Sequence, residues 1–262
     1  MYEDRSKYSG EYYKGMRHGE GKFETIYGDV YEGPWKDNRR HGKGKQVYEN
    51  GSVYEGEFVL GRKEGKGVLK KEGEYEYNGE WKHNKKEGEG VEFEKEVGRY
   101  EGHFKDNLKD GKGSFYYENG DVYMGQWSKG KIEGIGKFES KEMSYEGEWL
   151  NNRKNGKGLL KMSGGRVYDG IFKNDKKSGF GKQIFGNGKE YEGQWRNNKP
   201  EGYGKLHTES GSEGKIEYDG EWKNGLKHGK GVFRFKNGDV YDGSWALGKI
   251  EGKGIMFYKS GA

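Results

Sequence analysis

Residues 145–158 read Tyr-Glu-Gly-Glu-Trp-Leu-Asn-Asn-Arg-Lys-Asn-Gly-Lys-Gly, and this stretch decides the fold. The residues Tyr145, Gly147 and Trp149 alternate with charged residues, Glu146 and Glu148. Alternate residues of a β-strand point to the same face of the sheet. The stretch therefore predicts a strand with one aromatic face, followed by a turn.

The same pattern recurs along the chain with a period of 23 residues, which is typical of repeat architectures. Eight of the ten spacings between successive repeat tyrosines are 23 residues. The repeat at Tyr123 has 22 residues and the repeat at Tyr191 has 27, with the additional residues in 208–217. The sequence thus predicts eleven repeats, whose tyrosines are Tyr8, Tyr31, Tyr54, Tyr77, Tyr100, Tyr123, Tyr145, Tyr168, Tyr191, Tyr218 and Tyr241.

Two further positions hold in every repeat. A Gly-x-Gly pair runs from Gly19 and Gly21 to Gly252 and Gly254. We interpret the glycines as partners of the rings, because glycine leaves room for a ring to lie over the backbone of a strand. The fourth residue after the tyrosine is always aromatic: Tyr12, Trp35, Phe58, Trp81, Phe104, Trp127, Trp149, Phe172, Trp195, Trp222 and Trp245.

Each repeat also predicts a second, antiparallel strand. The residue two positions after the Gly-x-Gly pair is apolar in eight repeats, while Gln46, Glu92 and Gln183 break this pattern. Four links between repeats contain Asn-Gly, a strong signal of a β-hairpin. The prediction is an all-β fold: an elongated, twisted single antiparallel sheet of tandem β-hairpin repeats.

Composition separates this chain from the disordered and membrane-spanning classes. Hydrophobic residues make up 29% and charged residues 35%, with a mean hydropathy of −1.30, values close to those of disordered chains. Aromatic residues nevertheless make up 15%, and large rings are depleted in disordered segments. No run approaches the roughly 20 apolar residues of a spanning helix, and cysteine is absent. The start lacks a signal-peptide core, so we expect a cytoplasmic protein.

Residues 145–158, with the pattern Tyr-Glu-Gly-Glu-Trp-x-Asn-x-x-x-x-Gly-x-Gly, are similar to the MORN repeat. The resemblance covers residues 8–258, which leaves an N-terminal extension at 1–7 and a C-terminal end at 259–262. In this family the repeats occur with lipid kinase or methyltransferase domains, with membrane anchors, or alone. The resemblance implies the last class, which includes cytoskeletal, radial-spoke and basal-complex scaffolds of cilia.

The turns within repeats and the links between repeats lie along opposite edges of such a sheet. The links are the more acidic edge: Asp29, Glu49, Glu72, Glu118, Asp121, Glu209 and Asp239. The turns are basic and recur every ~10 Å, which suits acidic protein tails or anionic lipid headgroups. The predicted basic edge contains Lys36, Arg39, Arg40, Lys82, Lys85, Lys86, Lys105, Lys109, Arg153, Lys154, Lys173, Lys176 and Lys177. Solvation of the turns alone is the other reading of this edge.

The aromatic face is interpreted as the core, because the sheet has little else to bury. It also offers a groove for a helix or an extended segment of a partner. The residues predicted for this partner-binding aromatic face are Trp35, Trp81, Trp127, Trp149, Trp195, Trp222 and Trp245.

Catalytic chemistry is not predicted, because equivalent repeats provide no unique pocket for converging titratable groups. His18, His41 and His228 occupy equivalent, distant positions, so we expect no metal site and no cofactor. The Gly-Lys-Gly segments lack the spacing of a phosphate-binding loop. Binding to nucleic acid is disfavoured by the near balance of 49 basic and 44 acidic residues.

The predicted function is a non-catalytic, protein-binding scaffold of a cytoskeletal or ciliary assembly, such as an axonemal radial spoke or a basal structure. The alternative is a phosphoinositide-binding adaptor at a membrane, and a third reading is an accessory subunit of an enzyme complex. The terminal strands around Tyr8 and Ile255 could pair end to end, so a homodimer is a further prediction.

Overall fold

The computed structural model describes residues 5–208 and 216–259, which contain 23 β-strands and no helix. Neighbouring strands run antiparallel in an open sheet of hairpins, which confirms the predicted fold class. No helix in these residues has the length and hydropathy needed to cross a membrane. Glu209 and parts of the predicted terminal extensions lie outside the described residues.

The chain divides into two units, and the first spans residues 1–131. Each strand of this unit pairs with the next along the chain, except that the short β4 and β5 both pair with β3 before β5 pairs with β6. The strands are β1 Lys7–Tyr13, β2 Met16–Glu24, β3 Val30–Lys36, β4 Arg39–Arg40, β5 Gly42–Val47, β6 Val53–Val59, β7 Arg62–Lys71, β8 Tyr75–Lys82, β9 Lys85–Glu94, β10 Gly98–Lys105, β11 Leu108–Tyr117 and β12 Val122–Ser128.

The second unit spans residues 132–262 and repeats the same hairpin architecture. Its strands are β13 Lys131–Glu139, β14 Met143–Leu150, β15 Arg153–Met162, β16 Arg166–Lys173, β17 Lys176–Ile184, β18 Glu190–Arg196, β19 Lys199–His207, β20 Ile216–Lys223, β21 Leu226–Arg234, β22 Val240–Ala246 and β23 Lys249–Phe257.

The two glycines of each Gly-x-Gly pair have different structural roles. In the hairpin β8–β9, Gly90 lies opposite Gly79, and the register shifts before Trp81 pairs with Lys86. Gly88 lies in this irregular stretch with φ of +65°, a left-handed conformation that favours glycine. The first glycine therefore forms the bulge, while the second leaves space above the strand.

The repeat tyrosine fills that space. A Cβ atom on Gly90 would lie 2.7 Å from the ring of Tyr77, so the ring rests directly on the backbone of the partner strand. The hydroxyl of Tyr77 donates a hydrogen bond of 2.9 Å to the carbonyl of Glu80 in the bulge. The equivalent bond, to the third residue after the tyrosine, is present in all eleven repeats. Ring and bulge therefore fix each other, which confirms the predicted pairing of rings and glycines.

The aromatic residue four positions later connects successive repeats. Trp81 contacts both Tyr77 of its own repeat and Tyr54 of the preceding repeat edge to face, with ring centroids 5.2 and 5.3 Å apart. Its indole N–H donates 3.0 Å to the carbonyl of Gly67 in the preceding repeat. Edge-to-face pairs contribute about 0.5–1.5 kcal/mol beyond area burial. The core is thus a ladder of alternating rings on one face of the sheet.

Asparagine side chains connect successive turns within repeats. Asn84 lies in its turn with φ of 68°. Its Oδ1 accepts 2.8 Å from the backbone N–H of Lys63, and its own N–H donates 3.1 Å to the carbonyl of Lys63. Asn38, Asn107, Asn152 and Asn198 make the same two bonds to the repeat before them. The turns are therefore stitched together as well as the strands.

Candidate binding surfaces

A row of cations covers the aromatic ladder. The ninth residue after the repeat tyrosine follows the turn and points back over the rings. Lys63 illustrates the geometry, because its Nζ lies 4.7 Å from the ring centroids of both Tyr54 and Trp81. These ring-capping cations are Arg17, Arg40, Lys63, Lys86, Lys109, Lys154, Lys177 and Lys227.

Polar exceptions in the apolar pattern are partners of these cations. Arg40 donates 2.8 Å to Oε1 of Gln46, and Lys177 donates to Oε1 of Gln183. Both glutamines are buried, and their Nε2 groups donate to backbone carbonyls, so the cation supplies the partner of each Oε1. Gln46 and Gln183 thus replace an apolar contact with a hydrogen bond to the ring-capping cation of their own repeat.

Glu92 is the corresponding carboxylate, and it is shared between two repeats. It forms ion pairs with Lys86 and, at 3.5 Å, with Lys109, and it accepts a bond of 3.0 Å from the hydroxyl of Tyr75. Burial opposes ionisation of Glu92, but the two ammonium groups and the hydroxyl together hold its pKa below the ordinary value. Glu92 is therefore a structural anion and not a candidate general acid.

Partial burial over the rings also lowers the pKa of several ring-capping lysines. Desolvation lowers the pKa of Lys63, Lys177 and Lys227 to about 8. It lowers the pKa of Lys109 and Lys154 in the same direction, although Glu92 opposes the shift at Lys109. Cation–π attraction to the ring faces, about 0.5–2 kcal/mol per contact, offsets part of the desolvation cost of the ammonium groups.

The structure divides the predicted basic edge into two groups. Arg40, Lys86, Lys109, Lys154 and Lys177 are half-buried over the rings and do not belong to an exposed edge, which corrects the prediction. Their stems gain apolar contact with the ladder, which a charge count cannot reveal. The remaining eight are exposed beside the turns, and we name them the turn cations: Lys36, Arg39, Lys82, Lys85, Lys105, Arg153, Lys173 and Lys176.

Several turn cations face another cation. Lys36 lies directly opposite Arg39, Lys82 opposite Lys85, and Lys173 opposite Lys176 across their hairpins. Arg196 and Lys199 form a fourth such pair, which the sequence reasoning missed although both flank a turn. Like charges directly opposite each other on a sheet are destabilising. Their recurrence is therefore not a requirement of the fold.

The predicted aromatic partner face lies almost entirely within the core. Trp35, Trp81, Trp195 and Trp245 are only 5–6% exposed, and Trp127 and Trp149 are 8–9% exposed. Trp222 is half-buried. All seven indole N–H groups donate to a glycine carbonyl of the preceding repeat. Six of the seven rings are therefore nearly covered, and the ring-capping cations lie over the ladder.

The acidic link edge has a structural component. Oδ1 of Asp29 accepts 2.9 Å from the N–H of Glu49 in the next link, and Oε1 of Glu118 accepts 2.7 Å from the N–H of Glu96 in the preceding one. These acids connect successive links much as the asparagines connect turns. The three histidines His18, His41 and His228 belong to no group of metal-ligating side chains in the described part of the chain.

The MORN repeat family model matches eleven segments along the sequence. They are residues 8–25, 31–53, 54–73, 77–93, 100–122, 123–141, 145–165, 168–190, 191–213, 218–240 and 241–262. The chain belongs to the MORN-repeat family. The MORN match and the repeated surface geometry together describe a protein-binding scaffold built of repeats.

Solved structures with likeness to this MORN-repeat chain include two TCP domains. The TCP10 domain of Danio rerio CPAP has a TM-score of 0.40 and 10% identity, and the match covers 84% of this chain and 98% of that chain. The SAS-4 (dCPAP) TCP domain of Drosophila melanogaster, in complex with a proline-rich motif of Ana2, has a TM-score of 0.35 and 12% identity, covering 57% and 82%. At these values the likeness carries no conclusion about function. No curated protein matches the sequence.

Proposed function

We propose that this MORN-repeat chain is a non-catalytic scaffold of a cytoskeletal or ciliary assembly, and that its turn cations bind acidic segments of partner proteins. The observation that carries the proposal is the facing of like charges across the hairpins, as in Lys36 with Arg39 and Lys173 with Lys176. An anionic partner converts this repulsion into attraction on binding.

Cations elsewhere on the sheet differ in their surroundings. On the strands, Lys45 lies 2.9 Å from Glu55 and Lys205 lies 3.4 Å from Asp219, so their charges are matched by neighbours. Among the turn cations only Lys85 has an ion pair within the described residues, at 2.6 Å from Asp106. The turns thus keep positive charge available for a partner.

The spacing of the turns favours an extended acidic segment. Each repeat contributes two strands about 4.8 Å apart, so neighbouring turns present cations every ~10 Å. An extended peptide spans about 3.3 Å per residue, so every third residue meets a turn. Acidic tails of cytoskeletal polymers have this chemistry. Binding of this kind weakens with salt, because exposed charges are screened beyond about 10 Å at 0.1 M.

Co-sedimentation of the full chain with microtubules, before and after removal of their acidic tails, tests the proposal. We expect binding to intact microtubules, and weaker binding to tailless ones. The double variant Lys82→Glu/Lys173→Glu should lose this binding, whereas Lys141→Glu/Lys236→Glu changes the net charge equally on exposed residues of the link edge and should keep it.

Circular dichroism confirms that both variants are folded. Equal binding by the two folded variants would overturn the assignment to the turn cations. A parallel assay uses vesicles that contain phosphoinositides. Binding to these vesicles without binding to microtubules would overturn the scaffold in favour of the membrane adaptor.

A further inference from the structure

Three metal-ligating side chains converge on the face of the sheet opposite the aromatic ladder. Glu190 and Glu192 lie on alternate positions of β18, and His207 ends β19 directly opposite Glu190. One carboxylate oxygen from each glutamate and one ring nitrogen of the histidine all lie within 4.8 Å of one another.

Glu190 is the unusual member of this group. It is 3% exposed, and its Oε1 lies 2.8 Å from Nζ of Lys182. Its Oε2 is buried and has no hydrogen-bond partner among the described residues. A buried carboxylate oxygen without a partner is costly, and a bound cation is a common way to offset that cost.

The group also departs from the repeat. The residue before the repeat tyrosine is valine in five repeats, namely Val30, Val53, Val122, Val167 and Val240. Glutamate occupies the position in three repeats: Glu76 lies opposite Lys70 and Phe93, Glu217 forms an ion pair with Lys189, and Glu190 has His207 as its cross-strand partner. The repeat of Glu190 is the 27-residue one, and its additional residues follow immediately after His207. The architecture therefore does not require this acid and imidazole to face each other.

We propose that Glu190, Glu192 and His207 bind a divalent transition-metal ion with the preferences of Zn²⁺. An imidazole nitrogen with two carboxylate oxygens suits zinc, whereas Mg²⁺ and Ca²⁺ favour sets made only of oxygen. Without an ion, the ammonium of Lys182 neutralises Glu190. The ion takes over that role, and it joins β18 to β19 at the base of the longest link between repeats.

Isothermal titration of the untagged, chelator-treated full chain with Zn²⁺ tests the site, and Co²⁺ absorption reports the coordination geometry. We expect one ion per chain and no comparable binding of Mg²⁺. Loss of a group that merely orients a ligand costs about 10- to 100-fold in metal affinity. Glu190→Gln and His207→Gln should therefore each weaken Zn²⁺ binding by about 100-fold or more.

Two further variants separate this site from adventitious binding. Lys182→Met removes the competing ammonium and should tighten Zn²⁺ binding. His228→Gln removes a histidine outside the group and should leave binding unchanged. The proposal is overturned if the folded wild type binds no Zn²⁺, or if binding survives His207→Gln. It is equally overturned if Lys182→Met weakens binding, since the ammonium would then support the site instead of competing with it.

Discussion

A Cβ atom on Gly67 would lie 2.4 Å from the hydroxyl oxygen of Tyr54. Gly67 has an ordinary backbone conformation, whereas Gly65, two residues earlier, has φ of +62°. The two glycines of one motif are thus required for different reasons. Gly65 is required by the bulge, and Gly67 is required by the ring above it.

Replacement of Gly67 by alanine should therefore destabilise the fold through overpacking. Overpacking costs about 1–3 kcal/mol, and we expect Gly67→Ala to lie at the upper end because ring and backbone are both fixed. Gly51→Ala is the control, since a Cβ there meets nothing within 4 Å and only the φ of +81° opposes it. That control should cost about 1–2 kcal/mol, the strain of a Cβ in the left-handed region. Urea unfolding followed by tryptophan fluorescence compares the two, and equal losses would contradict the steric argument.

Trp81 tests the inter-repeat ladder. Trp81→Ala should reduce the free energy of unfolding by about 3–5 kcal/mol, because a large buried side chain is lost. Trp81→Phe should cost far less, since Phe58 and Phe104 occupy the equivalent positions of the two neighbouring repeats and are fully buried. The remaining cost reflects the hydrogen bond to Gly67, about 1 kcal/mol. Melting that hardly changes in Trp81→Ala would instead assign the ring to a partner contact.

Lys63 should make stability increase with pH above neutrality. Burial lowers its pKa from 10.5 to about 8, so between these values the unfolded chain binds the proton and the folded chain does not. Unfolding then requires proton uptake, and stability rises as pH increases through this window.

The measurement compares wild type with Lys63→Met from pH 8 to about 9.5, below the ordinary tyrosine pKa of about 10. The variant should show a smaller rise in the urea midpoint, and the exposed Lys82→Met should match wild type. Above that range the buried tyrosines act in the opposite direction, because burial raises the pKa of Tyr54 and its unfolded form ionises first. An identical slope in all three proteins would show that Lys63 is fully solvated.

Glu92 should contribute stability that disappears in acid. Its pKa in the folded chain lies below the ordinary 4.5, so its contribution is complete above 4.5 and is lost as pH falls through the folded value. Glu92→Gln should cost about 1 kcal/mol at pH 7, because Gln46 and Gln183 already accept from a cation at the equivalent position. Wild type should then lose more stability than this variant between pH 6 and pH 3. A larger acid loss in the variant would contradict the assignment.

The strands, the ring face and the glycine partners could be predicted from the sequence, because residues such as Tyr77 and Gly90 recur at alternate positions of every repeat. The division of the basic residues could not. Lys85 and Lys86 are adjacent and chemically identical, yet one is exposed and the other caps rings, because consecutive strand residues point to opposite faces and Lys86 is the one that lies opposite Trp81. A signal was nevertheless present: the ninth position contains Ile132, Pro200 and Ile250 in the repeats without a cation, which indicates a half-buried site.

The candidate metal group was missed for a related reason. The histidines at equivalent positions of the repeats are His18, His41 and His228, and they lie far apart because each belongs to a different repeat. His207 does not occupy that repeat position. Its proximity to Glu190 depends on the register between β18 and β19, which the spacing of residues in the sequence does not give. Positions that break a period are therefore better guides to a site than positions that obey it.

The ring contact between Trp81 and Tyr54 has a consequence for synthesis of the chain. Trp81 packs against a tyrosine made 27 residues earlier, so Tyr54 has its full set of neighbours only after Trp81 has emerged. At about 5–20 residues per second, this interval is about 1–5 s. During translation the most recent hairpin therefore lacks the rings that cover it, whereas the hairpins before it are already packed. The aromatic surface exposed to chaperones is thus limited to about one repeat, and its position advances as the chain grows.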